Sequence, residues 1–75
     1  MSNLPTITGE KAKAAFEKLG FYEVRVKGFH HILKRDGHRY LLSVPLHGGK
    51  NLKPGTLRTL IRDSGITVEQ FQDLL

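Results

Sequence analysis

The residues of this chain best suited to acid–base chemistry are two adjacent histidines, His30 and His31. An imidazole gains or loses a proton close to neutral pH, so an exposed histidine among cations is a candidate base or acid for phosphodiester cleavage. Both histidines fall within residues 27–40, whose pattern predicts a strand, a tight turn and a returning strand. Because neighbouring strand residues point to opposite faces of a sheet, the two histidines cannot share one role.

The Asp36-Gly37 dipeptide indicates which histidine faces outward, since Asp-Gly between two apolar runs predicts a two-residue hairpin turn. Counting back from a turn closed by Arg35 and His38 gives two sets of facing pairs: Leu33–Tyr40, His31–Leu42 and Phe29–Val44 on one face, and Lys34–Arg39, Ile32–Leu41 and His30–Ser43 on the other. The first set is nearly all apolar and the second is largely polar and basic. His31 is therefore predicted to pack on the core side and His30 to face solvent. A three-residue loop would reverse this relation between the strands.

Positive charge is concentrated in the middle of the chain. Residues 25–62 contain nine Lys or Arg against one acid, Asp36, which gives +8 there; since the whole chain carries +5, the flanks sum to −3. A segregated field of this kind attracts polyanions and supports phosphate contacts through counterion release. The alternatives are a basic surface that only serves solubility, or one that meets an acidic protein partner.

Length and composition restrict the class of protein. A chain of 75 residues predicts a single domain over 1–75, too small to enclose a deep pocket, with residues 1–7 as a flexible tail. The absence of cysteine excludes disulfides and thiolate zinc sites. The N-terminus lacks a signal-like segment and no apolar run approaches roughly 20 residues, so we expect a cytoplasmic location and no membrane partner.

Capping signals predict three helices. Thr8 is a suitable N-cap for a helix with apolar residues at helical spacing, which Gly20 ends. Pro54 suits the first turn of a second helix that ends at Gly65. Thr67, three residues before a glutamine, begins a capping box for a short third helix.

Between the first two helices the pattern predicts three strands. Residues 21–27 alternate as in a half-buried strand, with Tyr22, Val24 and Val26 on one side and Glu23, Arg25 and Lys27 on the other. Gly28 separates this strand from the next, and Pro45 ends the third because proline cannot donate to the ladder. The order α-β-β-β-α with a short C-terminal helix predicts an α+β fold, a three-stranded antiparallel sheet with helices on one face. The other face is left open to solvent.

The predicted open face brings His30 together with cations. A histidine there could take the proton of an RNA 2′-hydroxyl while Lys27, Lys34 and Arg39 stabilise the phosphorane. The alternative is a surface histidine that only contacts phosphate. His31, by contrast, is expected to be a packed, hydrogen-bonded residue of the core side.

The start of the second helix is a second candidate contact for phosphate. Its free backbone N–H groups, with Lys50, Lys53 and Arg58 nearby, favour binding of a phosphate backbone. Residues 47–50 lack the spacing of a Walker loop, which disfavours nucleotide hydrolysis. A zinc site built from His30, His31, His38 and His47 is also disfavoured, because adjacent strand histidines diverge and no carboxylate or thiolate completes a tetrahedron. We therefore predict no metal and no small-molecule cofactor.

Several short motifs occur together in one order: Leu19-Gly20-Phe21, Lys27-Gly28-Phe29-His30-His31, Val44-Pro45-Leu46-His47-Gly48-Gly49-Lys50, Lys53-Pro54-Gly55-Thr56-Leu57-Arg58 and Ser64-Gly65-Ile66. Each one alone is weak, but five in the same order and spacing are fairly specific. Over residues 8–75 the chain resembles the HicA (YcfA-like) toxins of type II toxin–antitoxin systems.

That resemblance implies a fold similar to the double-stranded RNA-binding domain and the activity of a metal-independent mRNA interferase, an endoribonuclease. It also implies RNA as substrate and a HicB-like antitoxin that covers the active face. The catalytic histidine of the family falls on His30, which strand parity also selects. Phe29 stands where the family usually has a small hydroxyl residue. The rival interpretation is a non-catalytic RNA-binding module of the same fold.

Overall fold

The computed structural model describes residues 3–75 of the chain. Within this part the elements follow in the order α1 (Gly9–Lys18), β1 (Tyr22–Lys27), β2 (His30–Lys34), β3 (Leu42–Pro45), α2 (Pro54–Ser64) and α3 (Val68–Gln72). The three strands form one antiparallel sheet in the order β1-β2-β3. The predicted α+β class and the α-β-β-β-α order with a short C-terminal helix are confirmed.

The ends of the helices follow the predicted capping residues. The Thr8 hydroxyl accepts a hydrogen bond from the Lys11 N–H at the start of α1. Gly65 ends α2 with a φ of 85°, a left-handed conformation that glycine adopts without steric cost. Thr67 and Gln70 exchange the two hydrogen bonds of a capping box at the start of α3. Local side-chain chemistry therefore fixes where these elements begin and end.

The hydrophobic core lies on one face of the sheet. Leu33 of β2 and Leu42 and Val44 of β3 are fully buried there, beneath α1 and α2, and Phe16 and Phe71 fill the space between the helices. Residues directly opposite each other in an antiparallel pair point to the same face. The register therefore gives the other side, called the open face below, as Tyr22, Arg25, Lys27, His30, Ile32, Lys34, Ser43 and Pro45.

The burial predicted for β1 is wrong. Tyr22, Val24 and Val26 are 44%, 46% and 50% exposed, and Phe21, just before the strand, enters the core instead. Two features explain the difference: β1 lies at the edge of the sheet away from β3, which is the strand that α1 and α2 cover, and the register of β1 shifts between Glu23 and Arg25. This bulge puts Val24 out of the ladder and breaks the alternation that the sequence predicts.

The register predicted between β2 and β3 is also wrong, by two residues. His31 pairs with Val44, where Leu42 was expected, and Leu33 pairs with Leu42. The predicted turn forms, with the His38 N–H donating to the Arg35 carbonyl at 3.0 Å, but β2 ends at Lys34 and β3 begins at Leu42, so a longer loop replaces the predicted two-residue hairpin. The His38 side chain then turns inward, and residues 39–41 do not pair with β2. Pairing begins at Leu42. Because the shift is even, the residues paired between β2 and β3 keep their predicted faces. Phe29 and Tyr40, predicted on the core side, lie outside these strands and are 61% and 49% exposed.

His38 turns inward because it has three partners there. A guanidinium only donates, so Arg35 donates to Nδ1 at 3.0 Å and Nε2 donates to the Asp63 carbonyl at 2.7 Å. The His38 ring also lies edge-on to Phe21, with the ring centroids 5.2 Å apart. The loop between β2 and β3 is thereby fixed to the end of α2.

The flexible tail predicted over residues 1–7 is only partly within the described residues, since residues 1 and 2 lie outside them. From Asn3 onward the segment is held to the domain. Ile7 is buried and its carbonyl accepts from the Leu52 N–H at 2.8 Å, while the Gln72 side chain donates to the Asn3 carbonyl. Across residues 3–75, no helix has the length and apolar character needed to span a membrane.

Candidate functional site

His30 lies exposed on the open face, at the start of β2, as predicted. Its Nδ1 lies 3.0 Å from the hydroxyl of Ser43, on β3. The contact is diagonal, because the residues directly opposite each other are His30 with Pro45 and Ile32 with Ser43. Within residues 3–75 no hydrogen bond engages Nε2 of this ring, so that nitrogen is available to a substrate.

His31 points to the helix-covered face and has a different environment. Its Nδ1 donates to a carboxylate oxygen of Glu23 at 2.6 Å, and the Lys13 ammonium lies 3.6 Å from the same oxygen. The hydrogen bond from His31, with a smaller contribution from the charge of Lys13, lowers the pKa of the Glu23 carboxyl below its usual 4.5. His31 therefore belongs to an ion-pair network that joins the sheet to α1.

The cations predicted for the open face lie at different distances from His30. Lys27 is directly opposite His30 in the β1–β2 register. Arg25, opposite Ile32, also lies on this face. Lys34 is four residues along β2 from His30, or about 13 Å at the rise of a strand. Arg39 lies in the loop beyond that far end, with its guanidinium carbon 5.5 Å from the centre of the Tyr40 ring. The structure thus places Lys27 beside His30, and Lys34 and Arg39 at the other end of the sheet.

A groove runs between the free edge of β3 and α2. Its volume is about 670 Å³, and it is lined by Leu41 and Ser43 on one side and by Lys53, Gly55, Thr56, Thr59, Leu60 and the acidic Asp63 on the other. A recess of about 360 Å³, lined by His47, Lys50 and Lys53, lies beside it and shares Lys53 and Thr56 with it. Lys50 and Lys53 thus line this recess just before the start of α2, and their contact with phosphate stays a prediction. Arg58 is exposed on α2 but lines neither space.

Two features of this region were missed from the sequence. Ser43 was paired with His30 but given no role, although it both contacts the imidazole and lines the groove. Phe29 and His47 stack on each other with ring centroids 4.5 Å apart. For Ser43, the alternation of polar and apolar residues around it indicates which face of the sheet it occupies. The contact between Phe29 and His47 joins residues 18 positions apart, and no local sequence pattern indicates such a contact.

The four histidines occupy separate environments. His30 contacts Ser43, His31 contacts Glu23, His38 contacts Asp63, and His47 contacts Phe29. Among residues 3–75 there is no group of three or more His, Asp or Glu side chains placed to hold a metal ion. The zinc alternative therefore gains no support from the arrangement of the described residues.

The element order and the single open face are those of a fold like the double-stranded RNA-binding domain, here with an exposed histidine and cations on the open face. A family model described as the HicA toxin of bacterial toxin-antitoxin matches residues 9–66 of the 75. The match covers every element from α1 to α2, and the chain belongs to this family of toxins. A comparison with curated proteins gives no match.

Proposed function

We propose that this toxin is a ribonuclease that cleaves RNA without a metal ion, with His30 as the general base and acid. The observation that carries the proposal is the Nδ1 contact of His30 with Ser43, which holds the ring on the basic open face and leaves Nε2 to the substrate. With Nε2 bare, as a base requires, Nδ1 carries the ring hydrogen and the serine hydroxyl accepts from it. Once Nε2 has taken a proton, Nδ1 still carries its hydrogen, so the same hydrogen bond persists while Nε2 acts as an acid.

The proposed reaction begins when Nε2 of His30 takes the proton of an RNA 2′-hydroxyl. The 2′-oxygen then attacks the adjacent phosphorus, and the bond from phosphorus to the 5′-oxygen breaks. The proton returns to that leaving oxygen, so the products are a 2′,3′-cyclic phosphate and a 5′-hydroxyl. Lys27, which lies directly opposite His30, would stabilise the charge that develops on the phosphorane oxygens.

The remaining cations are assigned to the RNA strand on either side of the cleaved bond. Lys34 and Arg39 would contact phosphates at the far end of the open face. Lys50 and Lys53 would contact phosphates at the groove and its recess, which Ser43 connects to His30. Arg58, on the outer side of α2, would add only long-range attraction.

The toxin family supports a further proposal about its partner. A toxin of a toxin–antitoxin system requires an antitoxin, and we assign that role to a HicB-like protein covering the open face. Such a partner would block His30 and neutralise the cations around it. An acidic surface on the antitoxin is the chemistry that fits this face.

The ribonuclease is tested by incubating the purified protein with a structured and an unstructured RNA in the presence of a chelator. Wild type is expected to cleave, and His30→Ala to lose about a hundredfold or more of the rate. The matched control is His31→Ala, its neighbour on the other face, which is expected to lose stability but keep cleavage. Equal cleavage by wild type and His30→Ala would contradict the role of His30.

A non-catalytic RNA-binding module is the second candidate, and the fold itself favours it. Shape and phosphate contacts are enough for binding by domains of this type. It predicts salt-sensitive binding of RNA with no cleaved product even at high protein concentration. The appearance of a 2′,3′-cyclic phosphate that depends on His30 would rule it out.

A further inference from the structure

We infer that Phe29 and His47, called the stacking platform below, bind one unpaired base of RNA next to the phosphate at which His30 acts. This inference rests on the proposed ribonuclease function and adds a substrate subsite to it. The platform lies at the end of the sheet where β1 turns into β2, adjacent to His30 in the chain. It presents an aromatic surface within a region that is otherwise basic.

The backbone under the platform is fixed. Gly28 has a φ of 59° and precedes Phe29 in the two-residue turn between β1 and β2, as expected for a type II′ turn. The Phe29 carbonyl accepts from the Leu46 N–H at 2.8 Å, which extends the β2–β3 pairing by one position. Little ordering entropy therefore remains to be lost when a ligand meets the ring.

The Phe29 ring has one aromatic neighbour and is otherwise largely exposed. The His47 ring lies against it, with ring centroids 4.5 Å apart and an angle of 36° between the ring planes. Phe29 nevertheless remains 61% exposed, the highest value among the large apolar side chains described as exposed. Burying a phenyl ring is favourable, so an exposed ring held by an aromatic neighbour is suited to receive a planar ligand.

The charges around the platform favour a nucleotide as that ligand. Lys27 closes the same turn as Phe29, and His47 lines the recess that also contains Lys50 and Lys53. Aromatic rings flanked by cations bind single strands by stacking on bases while the cations contact phosphates. A paired base already has neighbours on both of its faces, so the platform would select unpaired RNA.

The test measures binding of a short unpaired RNA that carries the fluorescent base 2-aminopurine, using protein with the His30→Ala change so that the RNA stays intact. In that background Phe29→Ala is expected to bind roughly five- to a hundredfold more weakly and to lose the fluorescence quenching caused by stacking. Phe29→Trp should keep both signals, whereas Phe29→Leu, which is apolar but cannot stack, should lose them. Because Phe29 is largely exposed, circular dichroism should show each variant folded.

The matched control is Tyr40→Ala, which removes another exposed ring, 49% exposed, at the opposite end of β2. It should leave the quenching unchanged. An RNA lacking the base at the labelled position should bind the His30→Ala parent and its Phe29→Ala variant equally, and a duplex should bind both equally.

Unchanged affinity and quenching in Phe29→Ala would overturn the platform and assign the exposed ring to a protein contact. The same conclusion follows if Phe29→Leu binds as well as the parent protein. Failure of the ribonuclease appears separately, as absence of cleavage by the protein with His30 intact, while the binding readout remains. Absence of any RNA binding would overturn both proposals.

Discussion

At the scale of single residues, the two adjacent histidines differ because of their hydrogen-bond partners. His30 contacts a neutral hydroxyl on the open face, and His31 contacts a carboxylate on the helix-covered face. Parity alone separates the faces, but it does not reveal these partners. Each partner leads to a different prediction.

Replacing Ser43 with Ala should slow cleavage without unfolding the protein, since the side chain is exposed. Loss of one hydrogen bond that orients the His30 ring predicts a fall in kcat of roughly three- to tenfold, with KM nearly unchanged. Steady-state kinetics of wild type and Ser43→Ala would measure both constants.

The control for this prediction is Ser43→Thr, which keeps the hydroxyl and should restore the rate. A fall in rate that is equal for Ala and Thr would show that Ser43 acts only through packing. A rise in KM at constant kcat would place Ser43 in substrate binding instead.

Replacing Glu23 with Gln should cost stability at about pH 7 but not in acid. Because the pKa of Glu23 is lowered in the folded protein, the unfolded chain binds a proton at this carboxyl first as the pH falls. The contribution of ionised Glu23 to folding stability is therefore complete above the usual pKa of 4.5, and it is lost as the pH falls through the pKa of the folded state. Urea unfolding of wild type and Glu23→Gln at about pH 7 and about pH 3 measures the difference.

Glu23 and Glu23→Gln should also be compared in proteins that carry His31→Ala, which removes the hydrogen bond that is the main cause of the lowered pKa of Glu23. There Glu23→Gln should cost less at about pH 7. A difference between wild type and Glu23→Gln that persists undiminished in acid would contradict the assigned hydrogen bond.

At the scale of elements, close backbone packing decides which sequence changes the fold tolerates. Gly9 begins α1 and Gly55 lies in the first turn of α2, so the two glycines occupy similar positions in their helices. A Cβ at Gly9 would collide with the carbonyl oxygen of Pro45, at the end of β3. A Cβ at Gly55 would meet nothing within 4 Å.

Gly9→Ala is therefore expected to destabilise the protein by about 1–3 kcal/mol, because α1 must move away from β3. Gly55→Ala, the matched control, should be neutral or stabilising by up to about 1 kcal/mol through its higher helix propensity. Chemical denaturation of both variants measures the free energies of unfolding. Equal effects of the two substitutions would contradict the close approach of α1 to β3.

At the scale of the whole molecule, the segregated positive charge becomes two regions. Lys27 and Arg25 lie near His30 on the open face, and Lys50 and Lys53 lie at the groove beyond β3. The flanking acids lie on the helices and on β1, where Glu23 pairs with Lys13 and accepts a hydrogen bond from His31 on the helix-covered side. We therefore expect a polyanion to contact the open face and the groove together.

Lys53→Gln should weaken RNA binding and reduce its dependence on salt. For a single strand, each lost phosphate contact lowers the slope of log affinity against log salt concentration by about 0.7. Lys11→Gln is the control, since Lys11 is exposed on α1, on the covered side of the sheet. Titrations at several salt concentrations, in a His30→Ala background, measure both slopes. An unchanged slope for Lys53→Gln would remove the groove from the RNA path.

Much of the fold was predictable because its signals are local. Thr8, Gly65 and the Thr67–Gln70 box determine helix ends through bonds within four residues, and Pro54 and Pro45 restrict the backbone at their own positions. The family motifs also predict the overall fold and membership in the toxin family, and the family match confirms the membership. The catalytic role of His30 stays a prediction.

What the sequence did not reveal depends on contacts between distant residues. The bulge at Val24 leaves β1 exposed, although its alternating apolar and polar residues are typical of a half-buried strand. The inward turn of His38 shifts the β2–β3 register by two residues. Neither feature has a local signature in the sequence. Val24 is exposed because of the position of β1 in the assembled sheet, and His38 contacts Asp63 only after α2 has packed against the sheet.

The sequence by itself thus determined the order of the elements and the faces of His30 and His31, since capping and strand parity act between near neighbours. Only the tertiary structure decided what surrounds those histidines. It brought the Ser43 hydroxyl to His30, the Glu23 carboxylate to His31 and the His47 ring to Phe29, because partners far apart along the chain meet only when the sheet and helices have packed.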